Sequence, residues 1–260
     1  MINSLQIAKT GMQAQQTQLD VISHNLANVA TSGFKRGTAQ FEDLIYQNLR
    51  QVGGNTSEQT ELPTGLQLGL GVRTVATART YTQGNLQESS NNLDVAINGN
   101  GFFQIEMPDG STAYTRDGSF KVDAQGQLVN SSGYRVLGGV TLPIDARSVT
   151  IGKDGVVSVI IGNNPTPQQA GTIELANFIN PAGLEPRGQN LFSETTASGN
   201  PTTGAPSSEG MGQVLQGFLE SSNVNVVQEL VNMIQTQRAY EMNSKSIQTS
   251  DQMLQRLTQL

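Results

Sequence analysis

The stretch SHNLANVATSGFKR, Ser23–Arg36, is where one pattern stops and another begins. Upstream, Leu5, Met12, Leu19 and Leu26 recur every seventh residue, and Ala8, Gln15, Ile22 and Val29 each follow three positions later. That is the a/d spacing of a helix seam. Val29 closes the seam, and Gly33 suits the C′ position, where glycine takes positive φ at little cost. Phe34 at C″ can then fold back on Val29 in a Schellman-type stop, with Lys35 and Arg36 complementing the negative helix end. His24, the only histidine, takes the outward f position of the heptad. With no cysteine and no second histidine in the chain, it reads as a surface polar residue and not as a metal ligand.

A second seven-residue column, Val226, Met233, Tyr240, Ile247 and Leu254, marks the other end of the chain. Its companions are Leu230 and then the polar Gln237, Ser244 and Asp251. Asn225 fits an N-cap, with Gln228 at N3 and Glu229 behind it. Helices of about 28 and about 35 residues would measure roughly 42 and 52 Å. Residues 1–30 carry only Lys9, Asp20 and His24 as ionisable side chains, so the outer face lacks the charge of a solvated helix. It offers Gln, Asn, Ser and Thr, which hydrogen-bond to neighbours without the cost of burying charge. Two readings stand. Each helix packs its stripe on the chain's own core, or the helices order fully only when several copies pack together. The thin apolar columns, set against the entropy of ordering long helices, favour the second.

Between the helices the period falls to two. Asp94–Gly139, DVAINGNGFFQIEMPDGSTAYTRDGSFKVDAQGQLVNSSGYRVLGG, reads as short strands parted by turn residues. Asp109-Gly110 lies between FFQIE and STAYT as a hairpin turn; Asp117-Gly118 and Gly126 mark further turns. SVTIGKDGVVSVII repeats the scheme around Asp154-Gly155. A β-barrel or compact sandwich is expected. Phe41–Leu49, FEDLIYQNL, has a short apolar, helix-like look, and Gln51–Glu61 and Thr196–Gly212 have linker composition.

The fold expected is therefore α+β and discontinuous. Long N- and C-terminal helices pack as a coiled-coil-like unit, and the middle is β-rich and barrel- or sandwich-like. The boundaries are an N-terminal helix over 1–35, a connecting segment over 36–75, a β-rich domain over 76–220, and a C-terminal helix over 221–260 that pairs with 1–35.

Composition narrows function by exclusion. Of 260 residues 14% are charged and 5% aromatic, tryptophan is absent, and the net charge is −6. No basic cluster would neutralise a phosphate backbone, so nucleic acid is not an expected partner. No cysteine means no disulfide framework. The N-terminal residues do not read as a Sec signal, and no apolar run would span a membrane, so membrane insertion is not expected. Asp109, Asp117, Asp123 and Asp154 match neither an EF-hand nor a glycine-rich calcium repeat. INGNGFF lacks the third glycine and following helix of a dinucleotide fingerprint. No catalytic, cofactor or metal residues are assigned, and an enzyme is not expected. A surface adhesin or carbohydrate-binding module is the alternative of another class, for which thirteen Phe and Tyr without Trp are thin material.

Three stretches resemble the flagellar axial (rod and hook) protein family. SHNLANVATSGFKR is similar to its N-terminal signature, DVAINGNGFFQI…DGSTAYTRDGSFKVDAQGQLV to its central motif, and Ser222–Gln255 to its C-terminal helix. They cover most of the chain in the family's order. The length and the segment near residues 46–75 best resemble members of the distal rod; hook members are longer, and proximal rod members less similar. His24 departs from the asparagine more usual there. The resemblance implies a homopolymer, a hollow helical rod that carries torque and leaves a channel for type III export, reached without a Sec signal. It implies neighbours as well: proximal rod proteins, the hook protein, a rod cap, the peptidoglycan-ring and outer-membrane-ring bushings, and the type III export apparatus. Terminal helices of many copies would form an inner tube, with Leu5, Met12, Leu19, Ile22, Leu26, Val29, Val226, Leu230, Met233, Tyr240, Ile247 and Leu254 as assembly seams. Asn25, Asn28, Gly33 and Phe34 would mark the motif and helix stop, and Tyr46–Arg73 would brace one subunit against another.

Overall fold

A computed structural model describes residues 2–50, 55–57, 60–61, 64–162, 166–208 and 210–258. The two terminal helices are present, as α1 (Ile2–Ala27) and α2 (Val226–Thr258). Asn225 caps α2: its Oδ1 accepts the N–H of Gln228 at 3.2 Å, the N3 bond expected of that residue. Between the helices the described residues are β-rich. Cα proximity divides it into two compact units, residues 1–26, 37–78 and 225–260 in the first, and residues 27–36 and 79–224 in the second.

In the first unit α1 and α2 run in opposite directions. Asn243 donates to Gln15 at 3.1 Å, and Asn25 donates to Glu229 at 3.4 Å. Gly11 faces Asn243, where an added Cβ would stand 3.0 Å from the amide nitrogen. The third component is a nested set of three strand pairs, together called the ribbon. β1 (Gly37–Asp43) pairs with β6 (Val72–Arg79), β2 (Tyr46–Arg50) with β5 (Leu66–Gly69), and β3 (Asn55–Ser57) with β4 (Thr60–Glu61). The helix-like Phe41–Leu49 is thus mostly strand, a correction with a tertiary cause: its first half, in β1, lies beside β6, and in its second half Tyr46 lies opposite Gly69 and Gln47 opposite Leu68. Most of the expected linker at Gln51–Glu61 lies outside the described residues, and its described parts are β3 and β4.

In the second unit the early strands are β7 (Leu86–Glu88), β8 (Val95–Asn98), β9 (Phe102–Glu106), β10 (Thr112–Thr115), β11 (Lys121–Val122), β12 (Leu128–Val129) and β13 (Arg135–Val136). A meander follows: β14 (Ala146–Ile151), β15 (Val156–Ile161) and β16 (Gln168–Thr172). The rest are β17 (Leu175–Asn177), β18 (Glu185–Gly188), β19 (Leu191–Ser193), β20 (Thr202–Gly204), β21 (Gln213–Gln216) and β22 (Phe218–Glu220). The largest sheet runs β11-β12-β13-β9-β10-β19-β18. One edge of β9 is shared: β13 pairs with Ile105 and Glu106, and β17 with Phe102 and Phe103. The sheet therefore forks, and among the described residues no barrel closes, which corrects the barrel alternative.

β9 also organises the core, because successive side chains point to opposite faces. Phe103 and Ile105 join Val95, Ile97, Phe120, Leu128 and Val214 on one side. Phe102 joins Tyr114, Phe178, Leu184 and Phe192 on the other. Rings on that second side meet edge to face, Tyr114 and Phe178 at 4.8 Å between centroids. Burial pushes the Tyr114 phenol up to about 12.

Candidate self-assembly surfaces

The opening motif folds differently from a helix cap. α1 stops at Ala27, so Val29 lies beyond its end. A turn follows in which the Thr31 N–H donates to the Asn28 carbonyl at 3.2 Å and the Thr31 hydroxyl to Asn28 Oδ1 at 3.2 Å. Gly33 does adopt the left-handed conformation, φ 68°, but its N–H donates to the carbonyl of Glu220 at 2.8 Å. The Phe34 N–H donates to Thr31, and neither bond returns to α1. The Schellman stop is thus replaced by a turn that lays residues 27–36 into the second unit. Gly33 is needed there twice over, since a Cβ would also press within 2.6 Å of the Arg116 backbone.

Lys35 does not serve the helix end either. It is 1% exposed, and its Nζ donates to Glu220 Oε1 at 2.6 Å and to the Thr82 carbonyl at 2.9 Å. Glu220, equally buried, also accepts from Arg116 at 3.2 Å and from the Gly84 N–H at 2.8 Å. Arg116 reaches the carbonyl of Gly99 and stacks over Phe102. Arg79 lies over both Phe34 and Phe192. Burial lowers the pKa of Lys35 while the Glu220 carboxylate holds it up, so one anion balances two buried cations. Glu220, Arg116 and Arg79 escaped the sequence reading. The scarcity of charge was the available signal, because an ionic residue inside an apolar strand pattern such as VLQGFLE asks for a buried partner.

The helix seams divide by depth. Ala8, Ala14, Ile22 and Asn25 are buried on α1, and Leu5, Met12, Leu19 and Leu26 are half-buried. On α2, Met233, Ile247 and Leu254 are half-buried, whereas Val226, Leu230 and Tyr240 are exposed. Glu229 and Asn243 hydrogen-bond across to α1, while Val226, Leu230 and Tyr240 leave apolar surface open to solvent. Val227, Val231, Ile234 and Met242 add to that outward apolar surface. His24 is exposed, as its f position requires.

The ribbon is as open as the helix. Ile45 is 83% exposed, and Phe41, Tyr46, Leu49, Leu66, Leu68 and Val75 also face solvent. A two-stranded ribbon with no third layer is marginal alone. It is tied to α1 by polar contacts: Asn3 donates to Gln47 at 3.2 Å, and the Val72 N–H to Thr10 Oγ1 at 3.4 Å. A shallow apolar cavity of about 380 Å³ lies in this unit, lined by Gly11, Ala14, Phe41, Val72, Thr236 and Ala239 among others.

Two of the three Asp-Gly pairs differ in what they need glycine for. Asp109-Gly110 is a turn between β9 and β10, with Gly110 at φ 79° and its N–H bonded to the Met107 carbonyl. Gly118 lacks positive φ and makes no hairpin. Its need is space, because a Cβ would stand 1.6 Å from the Val95 carbonyl oxygen. Asp117 accepts from the Ser119 N–H and hydroxyl and holds that close crossing in place.

Family models match in the same order as the three sequence stretches. The flagella basal body rod protein model covers residues 5–35, the flagellar hook protein FlgE/F/G D1 domain model residues 96–159, and the flagellar basal body rod FlgEFG protein C-terminal model residues 215–260. A protein named flagellar basal-body rod protein FlgG from Buchnera aphidicola subsp. Schizaphis graminum is 58% identical over all of both chains. Its namesake from Borreliella burgdorferi is 50% identical over 98% of this chain and 97% of its own. That from Bacillus subtilis is 40% identical over 100% and 99%. With full-length identity at this level, the chain belongs to the flagellar basal-body rod protein family, as a structural subunit of the distal rod.

Proposed function

We propose that many copies of this chain assemble head to tail into a hollow, rigid helical shaft that transmits torque from motor to hook and leaves a channel for type III export. The terminal helices, in coiled-coil-like contact with those of neighbouring copies, form its inner wall, and the ribbon of residues 37–79 braces one subunit against the next. The shaft crosses the periplasm between proximal rod and hook, inside the peptidoglycan and outer-membrane rings, and grows beneath a rod cap. Interfaces that repeat without closing generate an open helix of this kind.

The observation that carries this reading is the apolar surface left open by the first unit. Ile45, Leu49 and Leu66 on the ribbon and Val227, Ile234 and Met242 on α2 are side chains that a self-sufficient fold would cover. The test is a pair of charge insertions, Val227→Glu and Ile234→Glu, made in motile cells. Loss of swimming, with the chain missing from isolated basal bodies and the second unit still resistant to protease, is expected. Normal swimming with both substitutions would remove the proposal.

A further inference from the structure

We infer that Asn25 is a clamp that fixes the direction in which the ribbon leaves the helix pair. Asn25 sits two residues before the end of α1 and is 1% exposed. Its carboxamide pairs in both directions with one backbone unit. Nδ2 donates to the Gly37 carbonyl at 2.8 Å, and the Gly37 N–H donates to Oδ1 at 2.8 Å. Nδ2 also donates to Glu229 Oε2 at 3.4 Å. Both amide hydrogens and the carbonyl are thereby used.

Asn25 and its two partners belong to three elements. Gly37 is the first residue of β1 and so the root of the ribbon, and Glu229 lies in the first turn of α2. A side-chain amide that copies the two-way pairing of a strand neighbour holds a backbone unit in one orientation, since both bonds weaken steeply when it tilts. Around Gly37 the nearest side-chain atoms are Asn25 Oδ1 at 3.6 Å and Val21 Cγ1 at 3.7 Å from an added Cβ, so apolar packing there is ordinary contact and the directional bonds set the angle. The ribbon carries a small error at its root outward: residue 47 lies ten positions from Gly37, and about 3.3 Å per residue makes roughly 33 Å of lever. Its far contact, Asn3 to Gln47, reports that angle. The effect on the rod rests on the subunit reading above. Two neighbouring copies meet the ribbon in register only if it leaves every copy at the same angle.

The experiment uses the cysteine-free chain. Cysteines replace Asn3 and Gln47, and the intrachain disulfide formed by mild oxidant is measured in basal bodies isolated from cells. Asn25→Asp keeps the size and the acceptor for Gly37 but sets a carboxylate against Glu229 and against the Gly37 carbonyl. Glu229→Gln, added to it, returns a donor to that contact. The disulfide is expected to form readily with Asn25, to fall several-fold with Asn25→Asp, and to stay low in the Asn25→Asp, Glu229→Gln pair, which relieves the charge clash but returns no donor to the Gly37 carbonyl. Where Asn25→Asp alone keeps the chain out of basal bodies, the pair carries the measurement. A disulfide that is unchanged in Asn25→Asp, or as ready in the pair as with Asn25, overturns the clamp. Failure of the rod reading is told apart by the parent chain, which would then be missing from the basal bodies altogether.

Discussion

The two units solve the same problem of burial in opposite ways. In the second unit apolar side chains are enclosed on both faces of β9, and its buried ions are partnered around Glu220. In the first unit the polar side chains are the joined ones, Asn25, Asn243 and Thr10, while valines, leucines and isoleucines face outward. One region carries its own core and the other lacks its complement. The exposed half thereby keeps its free energy of apolar burial available for contacts within the rod.

The contrast is broken most sharply at Glu220. Glu220→Gln leaves Lys35 and Arg116 buried without their anion and should lower the stability of the second unit by about 3–5 kcal/mol. The urea midpoint read by near-ultraviolet circular dichroism checks this. Lys35→Met should cost distinctly less, since Glu220 keeps Arg116 and the Gly84 N–H. Equal losses from the two substitutions would contradict the one-anion, two-cation arrangement.

Glycine substitutions give the next effect. Gly118→Ala drives a Cβ into the Val95 carbonyl and should cost about 1–3 kcal/mol as an overpacking change. Gly110→Ala meets nothing within 4 Å and is opposed only by its positive φ, worth about 1–2 kcal/mol. Denaturation midpoints for the pair separate steric from conformational need. The smallest effect on stability belongs to the ribbon. Ile45→Ser should move the unfolding midpoint by no more than about 0.5 kcal/mol while reducing swimming, read as colony spread in soft agar.

Much of the molecule was legible in the sequence, for local reasons. The heptads gave both helices, Asn225 gave the cap of α2, and alternation with Asp109-Gly110 gave the β9–β10 hairpin, because each depends on neighbours within a few residues. What was not legible depends on distant partners. Phe41–Leu49 became strand because residues 66–79 lie beside it. Gly33 has the conformation read from the sequence but serves a bond to Glu220, nearly two hundred residues away. The forked edge of β9 likewise depends on which strands compete for it, and local periodicity carries no record of that. The outward residues of α2 are legible as apolar helix positions, but what covers them is not, because local periodicity carries no record of a neighbour.

The most direct test of the central claim is a reconstruction of the isolated rod at side-chain resolution. Ile45, Leu49, Val227 and Ile234 should each be covered by side chains of adjacent copies, with residues 27–36 still seated around Glu220 within their own subunit. A rod in which those four side chains remain open to solvent would contradict it.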